Sequence, residues 1–273
     1  MRWRIPAKTF IVGEYVALQG GPALILTTEP CFELSILEED TPSVIHKDSP
    51  AGHLLKKESL HERLSWHDPY NGLGGFGASS AQFLGAYYAQ AFLKDKPVDR
   101  EALLKAYFDC SWSGEGLRPS GYDVLAQHMQ GCVYLHREQN EYISFAWPFV
   151  EVSFVLIHTG HKLQTHEHLK QVVLRAPMAR LTSLVGMAKE AFITADAQKL
   201  IDAVNGYHAH LHQLHWVAPH TVSLIEQLRQ DPDVLAVKGC GAMGADVLLI
   251  LVPTDKREPI KNRFLEQGYV TYS

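Results

Sequence analysis

The chain has 273 residues, 46% of them hydrophobic and 20% charged, with 25 Lys and Arg against 30 Asp and Glu. That balance excludes a disordered chain, which has too few apolar residues, and a coiled coil, which carries more charge. The net charge of -5 and the lack of any basic block argue against a nucleic-acid partner.

The length suits one large domain or two smaller ones that bury a sizeable core. No apolar run approaches the roughly 18 residues of a membrane span, and the opening residues lack a signal-peptide core. Cys31, Cys110, Cys132 and Cys240 form no CxxC pair, so reduced thiols in a cytoplasmic protein are expected.

In chain order, Thr9–Leu18, Leu24–Thr28 and Cys31–Leu37 read as strands from their β-branched and aromatic content, with Glu29-Pro30 as a turn. Residues 38–71 are polar, hold Pro42, Pro50 and Pro69, and read as irregular or as a ragged hairpin. A glycine cluster follows at 72–77 and runs into ASSAQFLGAYYAQAFL, a long buried helix by composition. Glu101–Ser111 reads as a second helix, Ser113–Gly121 as a loop, and another helix opens near Tyr122. Val150–His158 is a strand. The stretch from Thr165 to Trp216 is helical by periodicity, with Gly186 and Gly206 as the points where it bends or divides. Thr221–Arg229 is a helix closed by Asp231-Pro232, and the chain ends with strand Val247–Val252, helix Lys256–Gln267 and a short strand. Patterns restart near residue 145, which predicts an α+β or α/β protein in two lobes, 1–145 and 146–273.

Gly72-Leu73-Gly74-Gly75-Phe76-Gly77 satisfies the GxGxxG dinucleotide pattern, but Pro69 and Asn71 before it make a poor central strand. No Gly-Lys-Ser/Thr follows, so a P-loop is excluded. Two readings remain. The glycines let backbone N–H groups approach an anion at the start of a helix carrying Ser79 and Ser80, or they make a tight turn with Ser79 as an ordinary cap. A second glycine-rich segment spans Lys238-Gly239-Cys240-Gly241-Ala242-Met243-Gly244-Ala245-Asp246, and a lone Lys8 lies in Pro6-Ala7-Lys8-Thr9-Phe10-Ile11-Val12-Gly13-Glu14-Tyr15.

These three segments, in this order, resemble the three motifs of the GHMP kinases (galactokinase, homoserine kinase, mevalonate kinase, phosphomevalonate kinase). The first resembles the substrate motif, residues 75–81 the GLGSSAA phosphate loop, and the last the GAGGGG loop. Pro119-Ser120-Gly121-Tyr122-Asp123 resembles the PSGxD element that carries the catalytic aspartate of mevalonate kinases. The resemblance spans residues 6–246. It implies a two-lobed α+β fold, with an ATP-binding N-terminal lobe like domain 2 of ribosomal protein S5 and a ferredoxin-like C-terminal lobe.

The resemblance also implies the site. Lys8 and Asp123 would be catalytic; Gly75, Gly77, Ala78, Ser79, Ser80, Gly241 and Ala242 would contact ATP; Ser79 and Glu115 would ligate Mg2+. Three departures stand out. Ala78 replaces the first serine of the phosphate loop; Ala242, Met243 and Ala245 interrupt the last loop; and Glu115 lies closer to Asp123 than the family register. Glu14 is expected to support the loop rather than react.

For the acceptor, Gly13-Glu14-Tyr15 and Asp123-Val124 with Gly131 resemble the phosphomevalonate form, whereas Pro119-Ser120-Gly121 is the mevalonate form. Thr159-Gly160-His161-Lys162-Leu163-Gln164-Thr165 is similar to the SGxxxxT stretch of the phosphomevalonate enzymes, and equally to a solvated turn. A small-molecule acceptor, phosphomevalonate or mevalonate, is therefore expected, with no membrane partner and room for a homodimer. Two rivals are weighed. The 15 histidines, with His208, His212 and His215 on one helical face and His158, His161, His166 and His168 in one loop, invite a zinc hydrolase that lacks any HExxH. The altered loops invite a GHMP-fold protein that binds a metabolite without turnover.

Overall fold

The structure is a computed structural model, and it describes residues 1–37, 45–56, 63–160, 178–241, 244 and 246–272. Contacts divide the chain into two compact units. One comprises Met1–Lys8 and Thr27–Gln130, the other Thr9–Leu26 and Gly131–Ser273.

Strand β1 (Arg2–Val12) and strand β2 (Ala23–Ile36) contribute to both units. They belong to a sheet of order β1-β2-β4-β5, with β3 added on β2; β3 is Leu64–His67, β4 Cys132–His136 and β5 Glu141–Phe145. β2 pairs antiparallel with β4 through Ala23↔Leu135 to Leu26↔Cys132, and with β3 through Glu33↔His67 to Ile36↔Leu64. Pro30 falls in the gap between these registers, where a residue without an N–H is tolerated. The strand therefore continues through Glu29-Pro30, and the turn expected there does not form. The strand expected at Thr9–Leu18 also shifts: β1 starts at Arg2 and stops at Val12, because Gly13 takes φ 106° and a short 3-10 turn covers Val16–Gln19.

In the first unit, α1 (Pro50–Lys56), α2 (Ala78–Leu93), α3 (Arg100–Ser111) and α4 (Tyr122–Met129) pack together. Helix α2 covers the segment that composition predicts. It buries Phe83, Leu84, Ala86 and Ala89, and Gly85 lies so close to Leu34 that a Cβ would meet its side chain at 2.9 Å. Asp99 caps α3 by accepting the Ala102 N–H at 2.8 Å. Helix α1 and strand β3 fall where the sequence reads as irregular, since each is too short for its periodicity to stand out.

In the second unit, a sheet of order β7-β8-β6-β9 is antiparallel throughout; β6 is Val152–His158, β7 Ala236–Cys240, β8 Val247–Pro253 and β9 Val270–Tyr272. Alternate residues Val155, Ile157, Val237, Leu248, Ile250 and Val252 form its core with Ile225 and Leu228 of α7 (Pro219–Leu228) and Ile260 and Phe264 of α8 (Arg257–Glu266). The helical stretch divides at Ala195, not at its glycines: α5 is Ala179–Thr194 and α6 is Ala197–Gln213. Ala195 is left-handed and Asp196 caps α6 through the Lys199 N–H. Gly186 lies inside α5, and Gly206 lies inside α6 where a Cβ would press on Leu184 at 2.9 Å, so that glycine serves close packing rather than a bend. Among the described residues no helix is long and apolar enough to cross a membrane.

Candidate active site

In the first unit, β1 delivers Lys8 into a largely buried position, 9% exposed. Its backbone N–H donates to the Phe76 carbonyl at 3.0 Å, so the glycine segment is fastened to the strand one residue before α2 is capped. Its ammonium lies 3.1 Å from Asp123 Oδ2 on the first turn of α4. Lys8 and Asp123, both named by the motif resemblance, are brought together by the tie between β1 and the glycine segment and by the position of α4. Removing either partner leaves the other charge poorly solvated. Tyr107 of α3 packs edge-on against Phe83 at 5.1 Å, and burial, then the Asp123 charge, push its hydroxyl pKa up, so it stays a neutral donor.

Gly77 is the N-cap of α2. It is left-handed at φ 84°, and no side chain caps the helix. A Cβ at Gly77 would stand 2.8 Å from Lys8 Cγ and 2.9 Å from Lys8 Cε, so only glycine lets the lysine pass. The first intrahelical bond is Ala81 N–H to the Gly77 carbonyl at 2.9 Å. The N–H groups before Ala81 therefore lie at an uncapped helix start, beside a cation, an arrangement suited to phosphate oxygens. Gly75 is also left-handed, at φ 88°. Ser79 is exposed, whereas Ser80 is 4% exposed and its hydroxyl donates to the Gly77 carbonyl at 2.9 Å. An exposed hydroxyl and a carboxylate are hard oxygen donors of the kind Mg2+ prefers.

Glu115 lies in an exposed loop, its carbonyl accepting the Trp112 indole N–H at 2.9 Å. Among the described residues no hydrogen bond or ion pair joins its carboxylate to Ser79 or Asp123, and no three His, Cys, Asp or Glu side chains are grouped to hold a metal. Gln127, absent from the sequence expectations, is 1% exposed and donates to the carbonyls of Pro6 at 2.8 Å and Gly77 at 3.2 Å. Its only signal in the sequence is its place one helical turn beyond Asp123.

In the second unit, Lys238 and Gly239, read as part of a glycine turn, belong to β7. A Cβ on Gly239 would meet the Gly244 carbonyl oxygen at 2.3 Å, and one on Gly241 would meet Asp246 Oδ2 at 2.6 Å. Ala242 lies outside the described residues, as do His161–Thr165, His166 and His168. Lys238 is fully buried. Its ammonium donates to Glu14 Oε1 at 2.5 Å and to the Gly239 carbonyl at 2.9 Å. Burial works against its charge, but the Cys240 sulfur and the Glu14 carboxylate outweigh it and hold the pKa above the ordinary lysine value. Glu14 thus supports an internal ion pair. Of the histidines on α6, His208 is 3% exposed and its ring stacks on His212, 6.3 Å away between centroids.

The whole chain has the two-lobed fold of the GHMP kinases. Solved structures similar to it include Streptococcus pneumoniae phosphomevalonate kinase in complex with phosphomevalonate and AMPPNP, at 18% identity and TM-score 0.78, with 100% of this chain and 99% of that one covered. Methanococcus jannaschii mevalonate kinase aligns over 100% and 96% at 13% identity and TM-score 0.75. Lactococcus lactis galactokinase complexed with galactose aligns over 99% and 92% at 13% identity and TM-score 0.76. No protein-family model matches the sequence, and a search of curated proteins found no relative.

Proposed function

We propose that the protein is an ATP-dependent small-molecule kinase of the GHMP type whose acceptor is phosphomevalonate, serving isoprenoid precursor synthesis in the cytoplasm. The observation that carries this reading is the Lys8 ammonium 3.1 Å from Asp123, beside the uncapped, glycine-opened start of α2. Phosphoryl transfer needs positioning and charge stabilisation more than covalent help. When bound, ATP supplies the phosphoryl group and Mg2+ screens its charge.

The chain's own residues do the rest. Gly75, Gly77, Ala78, Ser79 and Ser80 present backbone N–H groups to the phosphates, and the exposed Ser79 hydroxyl is the metal-facing oxygen. Lys8 stabilises charge on the transferring group and lowers the pKa of the attacking one. Asp123 holds the Lys8 ammonium in place, orients the attacking oxygen and takes its proton where it carries one.

The Gly13-Glu14-Tyr15 and Asp123-Val124 patterns favour phosphomevalonate as acceptor; Pro119-Ser120-Gly121 favours mevalonate, the second reading. An ADP-release assay with phosphomevalonate, mevalonate, galactose and homoserine separates them. Turnover is expected with phosphomevalonate above the others. Tight nucleotide binding with no turnover of any acceptor would replace the kinase by a metabolite-binding protein.

A further inference from the structure

We infer that Gln127 is the positioning residue that holds Lys8, the glycine segment and Asp123 in register, an assignment that rests on the kinase reading above.

Gln127 lies four residues after Asp123 on α4, hence on the same helical face. Its amide nitrogen spans the other two elements: it donates to Pro6 on β1, two residues before Lys8, and to Gly77, the N-cap of α2. Both partners are carbonyls, so the amide orientation is determined; turned over, its oxygen would face two oxygens. One buried side chain therefore links the strand of the cation, the helix of the carboxylate and the loop between them.

The Gly77 carbonyl receives three donors: the Ala81 N–H and the Ser80 hydroxyl at 2.9 Å each, and Gln127 at 3.2 Å. In a planar trans peptide the C=O and the following N–H point in opposite directions. Holding the Gly77 oxygen toward the helix body therefore aims the Ala78 N–H out of the helix start, where an anion would sit. Gln127 also adjoins the path of Lys8. A Cβ at Gly77 would stand 3.1 Å from its amide nitrogen and 2.8 Å from Lys8 Cγ, so amide and lysine stem border the same small space.

The amide oxygen of Gln127 is buried without a hydrogen-bond partner among the described residues. Such an orphan costs about 1–3 kcal/mol, and an apolar residue of the same shape would avoid that cost. The side chain is there for its two N–H bonds.

The test uses the full chain with Gln127→Met, which keeps the shape and removes the donor, and Leu125→Ala as a control for loss of packing on the same helix. In the ligand-free protein, hydrogen exchange at the Lys8 amide is expected to rise about tenfold in Gln127→Met. With ATP and the best acceptor, KM for ATP is expected to rise and kcat to fall, each about tenfold, because small misplacement of reacting groups is costly. Leu125→Ala is expected to lower the melting temperature more while leaving KM for ATP near wild type. Wild-type exchange and kinetics in Gln127→Met would overturn the assignment, as would losses that follow the melting temperature equally in both variants. Gln127→Asn, which keeps the amide but is one methylene short of Pro6, serves if the methionine variant does not fold, with the same exchange readout. A wild-type protein that turns over no acceptor removes the kinase reading, and the exchange result then decides the tie alone.

Discussion

The two glycine-rich segments look alike in sequence and do different physical work. At 75–77 the glycines adopt left-handed backbone and open a helix whose first N–H groups have no cap, with Gly77 clearing a path for Lys8. At Gly239 and Gly244 the backbone itself is crowded. Gly239 belongs to a fully buried strand, and a Cβ there would strike the Gly244 carbonyl at 2.3 Å. The first segment uses glycine to expose donors; the second uses it to let two chain segments touch. Glycine content alone does not distinguish an opened helix start from a close backbone contact. The neighbouring side chain does: an ammonium facing a carboxylate beside an uncapped helix start, or an ammonium sealed inside on Glu14.

That contrast can be broken by substitution. The largest effect is expected at Asp123 in the first segment's surroundings: Asp123→Ala should lower kcat by about 10^2–10^4-fold, the range of a lost acid–base group, with the fold retained. Turnover unchanged in the ADP-release assay would end the mechanism. Next comes Lys238→Met beside the second segment. It leaves the Glu14 carboxylate buried without its partner and should destabilise the protein by about 3–5 kcal/mol in urea unfolding; adding Glu14→Gln should restore much of that loss. The glycines themselves come third. Gly239→Ala should cost about 3 kcal/mol by overpacking against backbone. Gly77→Ala should cost about 1–2 kcal/mol of left-handed strain, added to the displacement of the Lys8 stem by the new Cβ, and should weaken nucleotide binding in a calorimetric titration. If Gly77→Ala binds nucleotide normally, the first segment is no cradle.

The last effect is one of pH, and it is confined to the acid side. Burial first, then the nearby Arg229, Lys238 and His212 charges, lower the His208 pKa to about 4. The unfolded chain takes up this proton below about 6.5, the folded one only near 4, so the unfolded state binds more protons between these values. Stability should fall as pH drops through that window, by at most about 3 kcal/mol. His208→Gln should flatten the acid side of the stability curve.

Long elements are legible in the residues, and short ones are not. Helix α2 could be read from an uninterrupted Ala-rich and aromatic run, and β8 from six consecutive apolar residues. The break between α5 and α6 is marked by the Asp196 cap rather than by Gly186 or Gly206, because a helical glycine that packs on Leu184, as Gly206 does, breaks nothing. Strands β4 and β7 are five residues each and follow or contain glycine, so they carry no period long enough to read. Motif resemblance points to Lys8 and Asp123, but the 3.1 Å between them is a property of packing. Gln127 had no motif at all.

The sequence by itself determined the chemistry on offer: one lysine in an apolar strand, glycines before a helix, an aspartate at the start of another, and apolar runs enough for two cores. Only the tertiary structure decided which of these meet. A strand passes its residues to alternate faces and a helix to one face in each turn, so partners distant in sequence come together only when the elements pack. That is why Lys8 faces Asp123 and not another carboxylate, and why Lys238 ends inside the protein on Glu14.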